Sequence, residues 1–247
     1  MSASCMETEV ATERPPRFHI SIQARDAAHA GEGLIAYQDG QRAALGRRGY
    51  AGVTSARHIE WEVEECILFL AYSDQGRVVG GIRMQRHRPK RPMPCVVALR
   101  SVCEEVAAPV EEHACREESG ELCGLWVDSE LAGAGLGPAL TALAMSQARA
   151  FLGRWAWGIC PEALYPGYQR VGFEKMDHLG EDGSFWYAAA DERGLIIRAD
   201  LQGSAMSDGG ARLSRSAFAR GRDGRLTTRT TRGELVIDYE PCRLRVA

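Results

Sequence analysis

The chain has 247 residues, 45% of them apolar and 26% charged, with a net charge of −3. That length and composition describe a globular chain able to bury a core. A slightly acidic balance gives no global attraction to nucleic acid or anionic membrane, and no apolar run approaches the roughly 18 residues of a membrane helix.

Met1 to Pro16 is polar and acidic and reads as a tail without a signal-type apolar stretch, which leads to the expectation of a cytoplasmic protein. Phe18-His19-Ile20-Ser21-Ile22 alternates as a first strand after the breaker Pro15-Pro16. Ala27 to Arg48 reads as a helix with Leu34, Ile35, Ala44 and Leu45 apolar, closed by Gly49. Cys66 to Tyr72 is a buried strand, Asp74-Gln75-Gly76 a hairpin turn, and Arg77 to Met84 the returning strand. Val96 to Ser119 yields only a helix near Ser101–Val106. Leu122 to Val127 is a central strand and Leu136 to Leu152 an amphipathic helix with Leu136, Leu140, Leu143 and Phe151 on one face. Trp155 to Cys160 is the next strand, Tyr165 to Val171 a short helix, and Trp186 to Ala189 a strand. Gly203 to Gly210 is a Ser/Gly-rich linker, Arg212 to Arg232 is basic, and Gly233 to Tyr239 is a late strand. The reading is a domain over 17–200 with an appendage over 201–247. That appendage could pack on the sheet, cover an acceptor site or mediate a homodimer.

Between the central strand and the helix after it lies Ala132-Gly133-Ala134-Gly135-Leu136-Gly137-Pro138. A strand–glycine turn–helix order aims backbone N–H groups at the positive end of a helix dipole, a place for an anion. No Lys-Ser/Thr pair follows, so the pattern does not point to a nucleotide-hydrolysing loop, and Pro138 breaks the dinucleotide fingerprint. The eight cysteines are scattered without a Cys-x-x-Cys, and no His/Cys cluster has metal-ligand spacing, so no metal is expected.

Val127-x5-Gly133-x-Gly135-Leu136-Gly137, followed by Tyr168-x3-Gly172-Phe173, resembles the GNAT superfamily of acyltransferases. The resemblance covers roughly residues 17–200. It implies an α/β fold, a mixed and mostly antiparallel twisted sheet flanked by helices. It also implies a co-substrate held along the strand and turn: acyl-CoA, acetyl-CoA or acyl-phosphopantetheine on a carrier protein. Trp126, Val127 and Ala132 through Pro138 are the implied co-substrate residues, and Tyr168 falls where the family keeps the tyrosine that protonates the leaving thiolate. The chain departs at Ala132, where the family usually has Arg or Gln.

Amine acylation needs a base, donors for an oxyanion and a proton for the thiolate. Glu121, where the central strand begins, is the candidate base, its alternative a solvated strand-edge carboxylate. The backbone N–H of Trp126 or Val127 is the candidate oxyanion donor. Gln41 to Tyr50, the acidic Glu60–Glu65, Gly80-Gly81-Ile82-Arg83 and Glu121-x-x-Gly124 are further similar, in order, to the N-acyl amino acid synthases and acyl-homoserine-lactone synthases. That similarity makes Arg83 a substrate-binding candidate. The chain has glutamates where those families favour aspartates, and Gly124 where they have arginine. The basic run Arg83 to Arg91 is either a solvated loop or a dock for an acidic carrier protein or a CoA phosphate. The expectation is direct attack of a primary amine on the thioester, without an acyl-enzyme, because no thiol or hydroxyl lies beside a base in the motifs. A non-catalytic thioester-binding module is the alternative.

Overall fold

In the computed structural model, residues 16–49, 65–88, 90–186, 192–202 and 224–240 are described. The expected tail before Pro16, residues 60–64 of the acidic stretch, the linker over 203–210, the basic segment over 212–223 and the strand beyond Trp186 lie outside them. Among the described residues ten strands form one sheet in the order β6-β8-β5-β4-β3-β2-β1-β10-β9, with β7 paired to β8. They are β1 (Arg17–Asp26), β2 (Cys66–Ser73), β3 (Val78–Arg86), β4 (Ser119–Val127), β5 (Trp155–Pro161), β6 (Glu174–Lys175), β7 (Ser184–Trp186), β8 (Arg193–Asp200), β9 (Arg225–Thr230) and β10 (Gly233–Glu240). Pairing is antiparallel except for β4 with β5 and β1 with β10.

The continuous apolar run of β2 follows from its burial on both faces. Ile67, Phe69 and Ala71 join the core under α4 (Leu136–Leu152), whose Leu136, Leu140 and Leu143 are fully buried. Cys66, Leu68 and Leu70 point the other way, into a cluster with Tyr37 and Trp126 under α1 (Glu32–Arg47). Beside α1 sit α2 (Pro94–Arg100) and α3 (Glu104–Arg116), packed on Trp155, Trp157 and Phe185.

Three sequence expectations are corrected. The first helix does not run from Ala27: Asp26 caps a short 3-10 turn over Ala27–His29, and α1 begins after Gly31. Its inward positions are Tyr37 and Gln41, while Ile35 is 59% exposed. Gly40 lets the helix approach so closely that an added Cβ would sit 2.1 Å from the Trp126 ring. The helix placed near Ser101–Val106 is two helices with Ser101–Cys103 between them. Pro94 starts the first, and Glu104 and Glu105 favour the N-terminus of the second. The basic segment ends in an unexpected strand, β9, whose Arg225 and Arg229 pair across the ladder with Asp238 and Glu234.

The segment set apart as an appendage thus contributes β10 and β9 to the same sheet, beyond β1. No helix among the described residues is long and apolar enough to cross a membrane. A last short helix, α5 (Tyr165–Gln169), follows β5.

Candidate active site

The chemistry collects where β4 leaves β5. Their register pairs run only from Ser119–Trp155 to Glu121–Trp157, so the sheet opens beyond Glu121. A second irregularity lies on the other edge of β4. The β3–β4 register shifts between Gly81 and Arg83, opposite Gly124, which has a φ of 65°. Such a bulge reverses which face the following residues occupy. Leu125 and Val127 therefore pack toward α4, whereas Glu121 faces α2 and Trp126 faces α1. Tyr37 secures the bulge: its hydroxyl donates to the Gly124 carbonyl at 2.7 Å, and a Cβ at 124 would lie 2.2 Å from that oxygen. The arginine that the finer resemblance places at this position has no room here.

A cavity of about 120 Å³ opens at the splay, and Glu121, Cys123, Leu125 and Tyr168 all line it. Glu121 is 3% exposed, which rules out a solvated strand-edge carboxylate. Burial raises its pKa from 4.5 to about 7, against the Cys95 amide, which donates to Oε2 at 2.6 Å, and the charge of Arg83. Tyr168 stands on α5 with its ring edge-on to Phe173, centroids 5.7 Å apart. Burial pushes its hydroxyl well up, so it keeps its proton at neutral pH. Arg83 is 2% exposed and its Nε donates to Cys123 Sγ at 2.9 Å.

Two residues that the sequence reading did not include belong to this group. Cys123 and Cys95 both contact the Glu121 carboxylate, so a thiol does lie beside the candidate base, contrary to expectation. Cys123 was legible, two residues along the strand from Glu121. Cys95 comes from α2, across 26 residues, and no local pattern points to it. Burial drives both thiols well above their usual pKa, so they rest protonated.

The glycine turn lies apart from these side chains, at the start of α4. Ala134 and Leu136 anchor it in the core, while Ala132, Gly133 and Pro138 are exposed. Gly135 is the N-cap with a φ of 97°, no side chain caps the helix, and its first turn has no acidic residue. The Leu136 and Gly137 amides thus open the helix without a side-chain cap, a place that suits an anion. A Cβ at Gly135 would not point into open space: it would meet Thr228 Cγ2 at 3.3 Å. The Trp126 ring, in contrast, is core, so only its backbone is available to a ligand. Of the basic run, Arg83 is buried within β3, Arg86 stacks on Phe151, and both Arg86 and Arg88 meet Glu65.

The fold, a mixed, mostly antiparallel sheet flanked by helices and opened between two parallel strands, is shared with solved N-acyltransferase structures. Among solved structures, FeeM, an N-acyl amino acid synthase from uncultured soil microbes, matches with a TM-score of 0.54 at 12% identity, over 74% of this chain and 91% of its own. BjaI, a CoA-dependent acyl-homoserine lactone synthase bound to SAM and isopentyl-CoA, matches with a TM-score of 0.53 at 11% identity, over 92% and 96%. An acyl-CoA N-acyltransferase from Pseudomonas aeruginosa gives 0.51 at 14%, over 73% and 99%. No protein-family model and no curated protein sequence matches the chain.

Proposed function

We propose that this protein is an N-acyltransferase that moves an acyl group from a CoA-type thioester to a primary amine by direct attack. The observation that carries this reading is a carboxylate held near pKa 7 in the same cavity as a protonated tyrosine, at the splay of β4 and β5. Glu121 takes the proton of the arriving ammonium, which by itself would hold it to about pH 10. The freed amine attacks the thioester carbonyl, and the Trp126 or Val127 N–H holds the oxyanion. As the tetrahedral intermediate collapses and the C–S bond breaks, Tyr168 hands its proton to the departing thiolate and regains one from the acylated nitrogen, which must shed its second proton. Direct attack survives the finding of two thiols at Glu121, because both rest protonated and so are weak nucleophiles.

Ala132 through Pro138 would receive the donor's phosphate, and Arg83, through Cys123, would steady the acid–base pair. Arg86 and Arg88 are engaged by Glu65, which favours CoA over a carrier protein docked on that run. The test is release of free thiol from a panel of acyl-CoAs in the presence of amino acids, polyamines and peptides. Thiol release that requires an amine supports the reading. A thermal shift with CoA and no turnover across the panel would make the protein a non-catalytic thioester-binding module.

A further inference from the structure

From the β9–β10 hairpin we infer a further donor-specificity residue, Arg232, which supplies the cationic side chain that the glycine turn itself lacks. The inference rests on the donor-site reading above. The hairpin belongs to the last strands of the sheet, yet it reaches the turn between β4 and α4. A Cβ built on Gly133 would lie 3.3 Å from Arg232 Cγ and 3.8 Å from its Nε, and one on Gly135 would lie 3.5 Å from Thr230 Cγ2. The side chain of Arg232 therefore runs beside Gly133, three residues ahead of the Leu136 amide that opens α4.

Charge accounting within the hairpin singles this arginine out. Arg225 is bound to Asp238 and Arg229 to Glu234, both across the ladder and away from the turn. Arg232, in the tight turn itself, has its backbone N–H fixed by Thr230 Oγ1 at 3.2 Å, and among the described residues no carboxylate lies within 4 Å of its guanidinium. An exposed guanidinium with no counter-ion among the described residues, near a helix N-terminus without a side-chain cap or an acidic residue in its first turn, is an arrangement that an anion completes. Ala132 cannot supply that charge. A guanidinium arriving from the opposite end of the sheet can, and its planar fork suits two oxygens of one phosphate.

The ligand class is a phosphate ester of pantetheine, as found in CoA or on a carrier protein. The experiment is titration calorimetry of the full chain with pantetheine, 4′-phosphopantetheine and CoA, for wild type, Arg232→Ala, Arg232→Lys and Arg229→Ala. Arg232→Ala should weaken a phosphate-bearing ligand by roughly tenfold or more, the loss of one charge-assisted contact, and leave pantetheine unchanged. Arg232→Lys should keep part of the affinity, and Arg229→Ala all of it. A loss shared by 4′-phosphopantetheine and CoA puts Arg232 on the first phosphate. A loss with CoA alone puts it on the pyrophosphate or beyond. Equal weakening of all three ligands, or of none, overturns the inference. Wild-type protein that binds none of them overturns the donor-site reading together with it.

Discussion

Replacing Glu121 by Gln keeps shape and hydrogen bonding but removes the ionisable proton, so it isolates the free energy stored in the raised pKa. The folded state holds this proton to about pH 7, whereas the unfolded chain releases it near 4.5. Protonated, the group carries no penalty; as pH rises from 4.5 to about 7 the unfolded chain loses its proton first, and stability falls. Above about 7 the penalty is constant. At roughly 1.4 kcal/mol per tenfold change in affinity, the gap amounts to about 3 kcal/mol at pH 8 but only about 0.8 kcal/mol at pH 5. Glu121→Gln should therefore be more stable than wild type by about 3 kcal/mol at pH 8, with most of that advantage gone at pH 5. Because wild type and variant share every other titrating group, urea unfolding of both at the two pH values reads the term directly. The catalytic arm runs oppositely. Wild-type turnover should rise with pH through about 7, whereas the stabler variant loses that limb and about 10²–10⁴ in kcat. An equal stability difference at pH 5 and pH 8 would refute the buried, proton-holding carboxylate. Wild-type turnover by the variant across pH 6–9 would refute its role as base.

Three further outcomes are expected. Tyr168→Phe should lower kcat by about 10²-fold or more with little change in donor affinity, and a loss confined to KM in steady-state kinetics would make Tyr168 a packing residue. Gly135→Glu should abolish CoA binding in calorimetry, because it adds a negative charge at the α4 N-terminus, a side chain at a φ of 97° and contact with the Thr228 methyl; a folded variant with unchanged affinity would remove the turn from the site. Gly40→Ala should cost about 1–3 kcal/mol in chemical denaturation despite the better helix former, since its Cβ would meet the Trp126 ring at 2.1 Å; unchanged stability would mean that α1 can lift off the sheet without penalty.

Local pattern was enough for much of this protein. The period-2 and unbroken apolar runs of β1 to β5, the 3.6-residue stripe of α4, and the glycines between β4 and α4 are all short-range signals, and each element stands where its pattern lies. Glu121 and Tyr168 could be named as candidates because the signals that pick them out are short-range: a carboxylate on the central strand and the six-residue span Tyr168-x3-Gly172-Phe173. What the chain alone did not reveal depends on contacts between distant residues. The Gly124 bulge, which turns Glu121 toward α2 while Trp126 faces α1, arises from pairing with β3 and from Tyr37, 87 residues away. Burial of Glu121, and hence its pKa near 7, requires α2 to close over it with the Cys95 amide, in a stretch whose helical pattern is broken by Pro94 and the Ser101–Cys103 turn. Of the C-terminal hairpin, β10 was legible as a late strand, whereas β9 was lost in a basic segment because its arginines mask the strand. Only parallel pairing with β1 shows that the last strands complete the sheet, and only the tertiary fold brings Arg232 beside Gly133, 99 residues away in the chain.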